Sequence, residues 1–178
     1  IDKNENTASM YDANIGDGIY IIGQNDNQEK GWIGQSLYSK HILKISELYS
    51  PPPVNLKFEL RNGNFITKAI GQNITNCVND ISDGGLAISL AEILLNSKIP
   101  NTGAIIDKSF IKKCESFWFG EDQGRYLICS SKHHELINLA KSERIKVSKI
   151  GSINSSSRLT FSKDDYICIN ELFNLSKN

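Results

Sequence analysis

The chain has 178 residues, with 20 Lys plus Arg against 20 Asp plus Glu and a formal net charge of zero. That length allows one domain with a core of its own, and the balanced charge gives no general field for nucleic acid or an anionic membrane, so neither is expected as a partner. No apolar run approaches a membrane span, and residues 1–11 lack the apolar segment of a secretory signal.

Residues 1–15 are polar and read as a linker or domain-boundary remnant, with a single domain over 16–178. Residues 18–23, β-branched and aromatic between glycines, predict a strand. A polar loop over 25–30 leads through Gly31-Trp32-Ile33-Gly34-Gln35-Ser36 into a helical pattern over 37–45. Pro51-Pro52-Pro53 forms a stiff spacer before a helix over 54–70, weakened in the middle by Gly63.

A short strand over 75–78 and a turn over 82–85 precede a helix over 86–95 whose only charge is Glu92. A helix apolar nearly all round is expected to be buried against a sheet. Strands follow over 103–106, 125–130, 145–150, 159–161 and 166–169, with a helix over 133–141 and a turn over 154–157. The strands and helices mix without strict alternation. The expected fold is α+β: a mixed β-sheet with helices packed on it, its last strands antiparallel neighbours.

The four cysteines, Cys77, Cys114, Cys129 and Cys168, form no C-x-x-C pair and read as reduced. With no signal sequence, they point to the cytoplasm. His133 and His134 read as solvated, and His41 fits core or surface.

Three segments have candidate binding chemistry. In Asp80-Ile81-Ser82-Asp83-Gly84-Gly85-Leu86-Ala87, the glycines permit a sharp turn, and Ser82 or Asp83 suits the cap of the next helix. The helix start offers free N–H groups to a phosphate, and Asp80 and Asp83 suit a bridging Mg²⁺. The plainer reading is a cap and a shaped turn. In Phe119-Gly120-Glu121-Asp122-Gln123-Gly124-Arg125, acceptor-rich side chains precede a strand. Arg125 suits a phosphate or carboxylate, or a pair with Glu121; the plainer reading is a solvated acidic turn. Gly34, Gln35 and Ser36 open a helix and suit an anion, but the Lys and spacing of a Walker loop are missing. The plainer reading there is a capped helix with Trp32 as a packing anchor.

In this order and spacing, Gly16-Asp17-Gly18, Ile33-Gly34-Gln35-Ser36, Pro51-Pro52-Pro53-Val54-Asn55-Leu56, Arg61-Asn62-Gly63, Asn79-Asp80-Ile81-Ser82-Asp83-Gly84-Gly85-Leu86-Ala87 and Phe119-Gly120-Glu121-Asp122-Gln123-Gly124-Arg125-Tyr126 resemble one family. It is the C-terminal domain of the phosphoribosylformylglycinamidine (FGAM) synthase large subunit, in the superfamily related to aminoimidazole ribonucleotide synthetase. Asn79 stands where that family usually has His.

The resemblance implies an α+β fold and one part of an ATP-dependent C–N ligase of purine biosynthesis, with ATP and Mg²⁺ acting in the full-length enzyme. It implies that this domain alone is inactive and holds no cofactor tightly, and it assigns no metal ligand. The implied substrate- or nucleotide-binding residues are Gly34, Gln35, Ser36, Ser82, Asp83, Gly84, Gly85, Glu121, Asp122, Gln123 and Arg125, serving either the catalytic or an auxiliary half-site. The implied partners are other domains of the large subunit, a glutamine amidotransferase subunit and a small accessory subunit. Another superfamily member is the alternative: aminoimidazole ribonucleotide synthetase, selenophosphate synthetase or a hydrogenase-maturation protein. A purely structural docking domain is a third reading.

Overall fold

A computed structural model describes residues 6–23, 31–45 and 50–177. Among these, β1 (Gly18–Ile22), β2 (Cys77–Asp80), β3 (Gly103–Ile106), β4 (Tyr126–Ser130), β5 (Val147–Asn154), β6 (Arg158–Thr160) and β7 (Tyr166–Cys168) form one sheet in the order β2-β4-β1-β5-β3-β6-β7. All neighbours are antiparallel except β3 and β6. This is the expected mixed sheet of an α+β fold.

The central strand explains the layering. All five residues of β1 are buried, and successive side chains point to opposite faces. Ile19 and Ile21 enter one core beneath α2 (Gly85–Leu95), with Leu86, Leu90 and Ile93. Tyr20 and Ile22 enter a second core beneath α1 (Leu56–Gly71) and, after two short helices, α3 (Lys108–Ile111) and α4 (Glu115–Phe119), beneath α5 (His133–Glu143). Of Leu136, Ile137 and Ala140, which the sequence pattern turns inward, Leu136 and Ala140 are buried in that core and Ile137 is half-buried.

The remaining elements refine the sequence reading. The helix expected over 54–70 runs from Leu56, where the Asn55 side chain caps it at the Phe58 N–H (3.1 Å), and Gly63 does not break it. The pattern over 37–45 yields a π-helical turn, Ser39–Leu43, that stops where Lys44 turns left-handed. The strand expected over 75–78 runs over Cys77–Asp80, and before it the Thr75 hydroxyl donates to the Cys129 carbonyl (2.7 Å). After β7 the chain forms α6 (Ile169–Leu175), which the sequence reading does not anticipate. The loop expected over 25–30 lies outside the described residues.

β6 and β7 are antiparallel neighbours as expected, but β5 and β6 are not neighbours. β3 lies between them, so residues 155–157 must carry the chain across the start of β3. Gly103 is the crossing point: a Cβ there would lie 2.6 Å from the Arg158 carbonyl oxygen. At the other end of the chain, Ala13 is buried in the first core and Ser9 N–H donates to the Asn76 carbonyl. All four cysteines are free thiols; Cys77 and Cys129 are buried opposite each other on β2 and β4. His41, His133 and His134 are exposed, and the Tyr20 hydroxyl lies 3.1 Å from His133 Nδ1.

Candidate functional site

The three candidate segments, scattered in sequence, meet at one junction. It is built on α2, which Leu86 and Leu90 anchor in the core. Its entry needs two successive left-handed residues, Gly84 (φ 78°) and Gly85 (φ 69°), a conformation that costs any residue with a Cβ. A Cβ on Gly85 would also lie 2.8 Å from the Gly120 carbonyl oxygen. The turn therefore presses directly on the loop that follows α4.

That loop binds the other two segments through adjacent carboxylates. Glu121 Oε1 accepts from the Gly84 N–H (2.8 Å) and the Leu37 N–H (2.8 Å). Asp122 Oδ1 accepts from the Trp32 N–H (3.0 Å), while Oδ2 accepts from Arg125 Nη1 (2.9 Å). The Glu121 N–H returns a bond to the Trp32 carbonyl (3.0 Å). Gly31 fits here because a side chain would collide with the Ser116 carbonyl oxygen, and Tyr38 stacks on Phe119 at 4.7 Å. Ser36 is buried, its hydroxyl donating to the Ile33 carbonyl (2.7 Å) and accepting from the Ser39 N–H (3.1 Å).

Three local readings are corrected. Neither Ser82 nor Asp83 caps α2; Gly84 is the cap residue, and the carboxylate of Glu121 meets its N–H. An anion thus stands at the helix start, but it belongs to the chain itself. Arg125 pairs with Asp122 rather than Glu121. Nor is the turn a solvated one: Arg125 is 4% and Asp122 8% exposed. Burial pushes the Arg125 pKa down, and the facing Asp122 carboxylate opposes that shift. Arg125 is committed inside the protein.

The exposed candidates at the junction are Gln35, Ser82, Asp83 and Gln123; Gly34, Gly84 and Gly85 are buried backbone positions. Beyond them, Asp80 ends β2. Desolvation and the Glu59 carboxylate push its pKa up. Asn79 ties β2 to α2, donating to the Ser89 carbonyl (3.3 Å) and Glu92 Oε2 (3.2 Å). Among the described residues, no group of three or more His, Cys, Asp or Glu side chains is placed to hold a metal ion.

The sequence reading gives no bonding role to Trp32, Leu37 or Asn62. The first two act through backbone N–H groups, which side-chain chemistry does not flag. Asn62 does leave a signal: a polar residue on the inward stripe of α1 that also holds Phe65, Ile66 and Ala69. Its Nδ2 donates to the Gly124 carbonyl (2.9 Å), bracing the same loop from the other side.

The family described as AIR synthase related protein, C-terminal domain, matches residues 14–164. A phosphoribosylformylglycinamidine synthase subunit PurL from Methylocella silvestris is 39% identical over 140 residues, covering 79% of this chain and 18% of that protein. Its counterpart from Azorhizobium caulinodans is 32% identical over 154 residues, covering 85% of this chain and 20% of that one. The chain spans about a fifth of the length of the curated relatives it matches. Among solved structures, Thermotoga maritima PurL complexed with ATP superposes with a TM-score of 0.67 at 13% identity, over 97% of this chain and 28% of that one. At that identity the likeness is one of fold.

Proposed function

The chain belongs to the AIR synthase related protein family as its C-terminal domain, and from that premise we propose that it is the last domain of an FGAM synthase large subunit. The parent polypeptide would convert formylglycinamide ribonucleotide (FGAR), ATP and glutamine-derived ammonia to FGAM, ADP and phosphate. Sequence identity to PurL subunits over most of the chain supports this reading over another superfamily member. In the parent, ammonia would come from a glutamine amidotransferase subunit, with a small accessory subunit completing a cytoplasmic complex. Among the described residues, no helix is long and apolar enough to cross a membrane.

The start of α2 is met by Glu121, Arg125 is paired inside, and no metal-holding cluster is present among the described residues. On this reading the domain's part is positional. Glu121 and the Asp122–Arg125 pair hold three loops in register, so Gln35, Ser82, Asp83 and Gln123 reach a ligand held mainly by other domains. In that composite site, ATP would supply the phosphoryl group that activates the amide oxygen of FGAR.

The test is ADP release by the full-length polypeptide supplied with FGAR, ATP, Mg²⁺ and ammonium. FGAR-dependent release is expected, reduced about tenfold or more by Gln123→Ala, the loss of one or two transition-state hydrogen bonds. No FGAR-dependent release would overturn the reading. The 178-residue chain alone is expected to give none.

A further inference from the structure

The first two turns of α1 are amphipathic the wrong way round. Leu56 and Leu60 are 73% and 67% exposed, and Val54 just before them is 65% exposed. The inward positions of the same turns hold Glu59 and Asn62; Glu59 Oε1 and Asn62 Oδ1 are buried without a hydrogen-bond partner. From Phe65 onward the helix is ordinary, with Phe65, Ile66 and Ala69 buried. Leu56 and Leu60 are four residues apart and share one line of the helix surface; Lys57 and Arg61, also four apart and exposed, form the adjacent line. Arg61 stays near the helix, with its guanidinium 5.8 Å from the Phe58 ring. Three exposed large apolar side chains close in sequence, two of them on one line of the helix and flanked by cations, are the pattern of a covered surface.

We propose that Val54, Leu56 and Leu60, with Lys57 and Arg61, dock onto another domain of the same polypeptide, on a surface apolar at its centre and acidic beside the two cations. The proposal rests on the reading of the chain as one domain of a longer protein, whose relatives are about five times its length. Charge argues against a second copy as the occupant. An isologous pairing would bring each Lys57–Arg61 line near its own copy, and the nearest acid on these turns, Glu59, faces inward.

The test places the photo-crosslinking residue p-benzoylphenylalanine at Leu60 of the full-length polypeptide, with the exposed Lys163 as the control position. After irradiation, peptides are mapped by mass spectrometry. The expected crosslink from position 60 joins a segment of the same polypeptide outside these 178 residues, at about tenfold or more the control yield, and that segment has apolar and acidic residues. Lys57→Glu with Arg61→Glu should cut the yield severalfold while leaving the fold intact, because both side chains are exposed. A crosslinked pair of copies, or a yield no greater than at position 163, would overturn the proposal. A polypeptide that crosslinks as expected but shows no FGAR-dependent ADP release overturns the enzymatic reading and leaves the docking face standing.

Discussion

The loops around Glu121 and the first two turns of α1 both take polar groups out of water, with opposite results. At the junction, Glu121 accepts two backbone N–H groups, and Asp122 accepts one and also faces Arg125. At the start of α1, carboxylate and amide oxygens are buried without partners while leucines face outward. The junction is closed within the domain except at Arg125 Nε, which is also buried without a partner; α1 begins with exposed leucines that something else should cover. Buried polar groups are costly unless bonded, so the two regions should answer substitution very differently.

The largest effect is expected at Arg125. Arg125→Met leaves the Asp122 carboxylate buried and without its cation, a change that typically costs about 3–5 kcal/mol. Urea unfolding of the 178-residue chain measures it. A loss below about 1 kcal/mol, the value of a surface pair, would mean the pair is solvated and the junction is not closed.

Gly85→Ala comes next. It combines a left-handed backbone with a Cβ 2.8 Å from the Gly120 carbonyl oxygen and the Phe119 carbonyl carbon, and should cost about 2–3 kcal/mol. Gly71→Ala, with open space around the new Cβ, should be neutral or stabilising by up to about 1 kcal/mol. Equal losses in the two variants would remove close approach as the reason for Gly85. Glu121→Ala, which orphans the Gly84 and Leu37 N–H groups, should cost about 1–3 kcal/mol, and Glu121→Gln less because its amide oxygen still accepts. The same urea series reads both.

At the start of α1 the expectation reverses. Asn62→Leu removes the bond to the Gly124 carbonyl and also an unpartnered buried oxygen. The two changes oppose each other, so stability should shift by no more than about 1 kcal/mol in either direction. A loss as large as that of Arg125→Met would mean that α1 is as internally wired as the junction, and the contrast would collapse.

How much of this is written in the sequence depends on the range of each interaction. β1 is legible because burial on both faces leaves an unbroken apolar run bounded by glycine, and α2 because its largely apolar run, broken only by Ser89 and Glu92, follows Gly84-Gly85. The candidate segments are legible as loops rich in glycine and carboxylates, and their order carries the family resemblance. Their wiring is not legible. Glu121 meets Gly84 across 37 residues of sequence, and nothing local separates that contact from a cap by Asp83. Arg125 is near two acids in sequence, and the long-range bonds that engage Glu121 at Gly84 and Leu37 leave Asp122 as its partner. The insertion of β3 between β5 and β6 is hidden for the same reason, since strand order is set by pairing over long sequence distances. The Leu56–Leu60 stripe is visible in the sequence, but only the structure turns it outward.

The smallest effect, and the one whose sign is most informative, is expected at Asp80. Its pKa is raised above the ordinary 3.8, first by desolvation and then by the Glu59 carboxylate. Between 3.8 and that raised value the folded protein binds more protons than the unfolded chain, so stability falls as pH rises through this window. Above it both states are deprotonated, and the penalty of desolvating the Asp80 carboxylate and of holding it near Glu59 is fully present. Asp80→Asn removes that penalty. The variant should therefore melt slightly higher than the parent chain at pH 7, with the gap closing as the pH is lowered through the window and shrinking with added salt, because Asp80 is exposed. Asp17, whose pKa burial also raises, contributes equally to both proteins and drops out of the difference. A variant that melts lower than the parent chain at pH 7 would mean that the Asp80 charge is held by attraction, and the start of α1 with the end of β2 would then have to be read as a region as well satisfied as the junction.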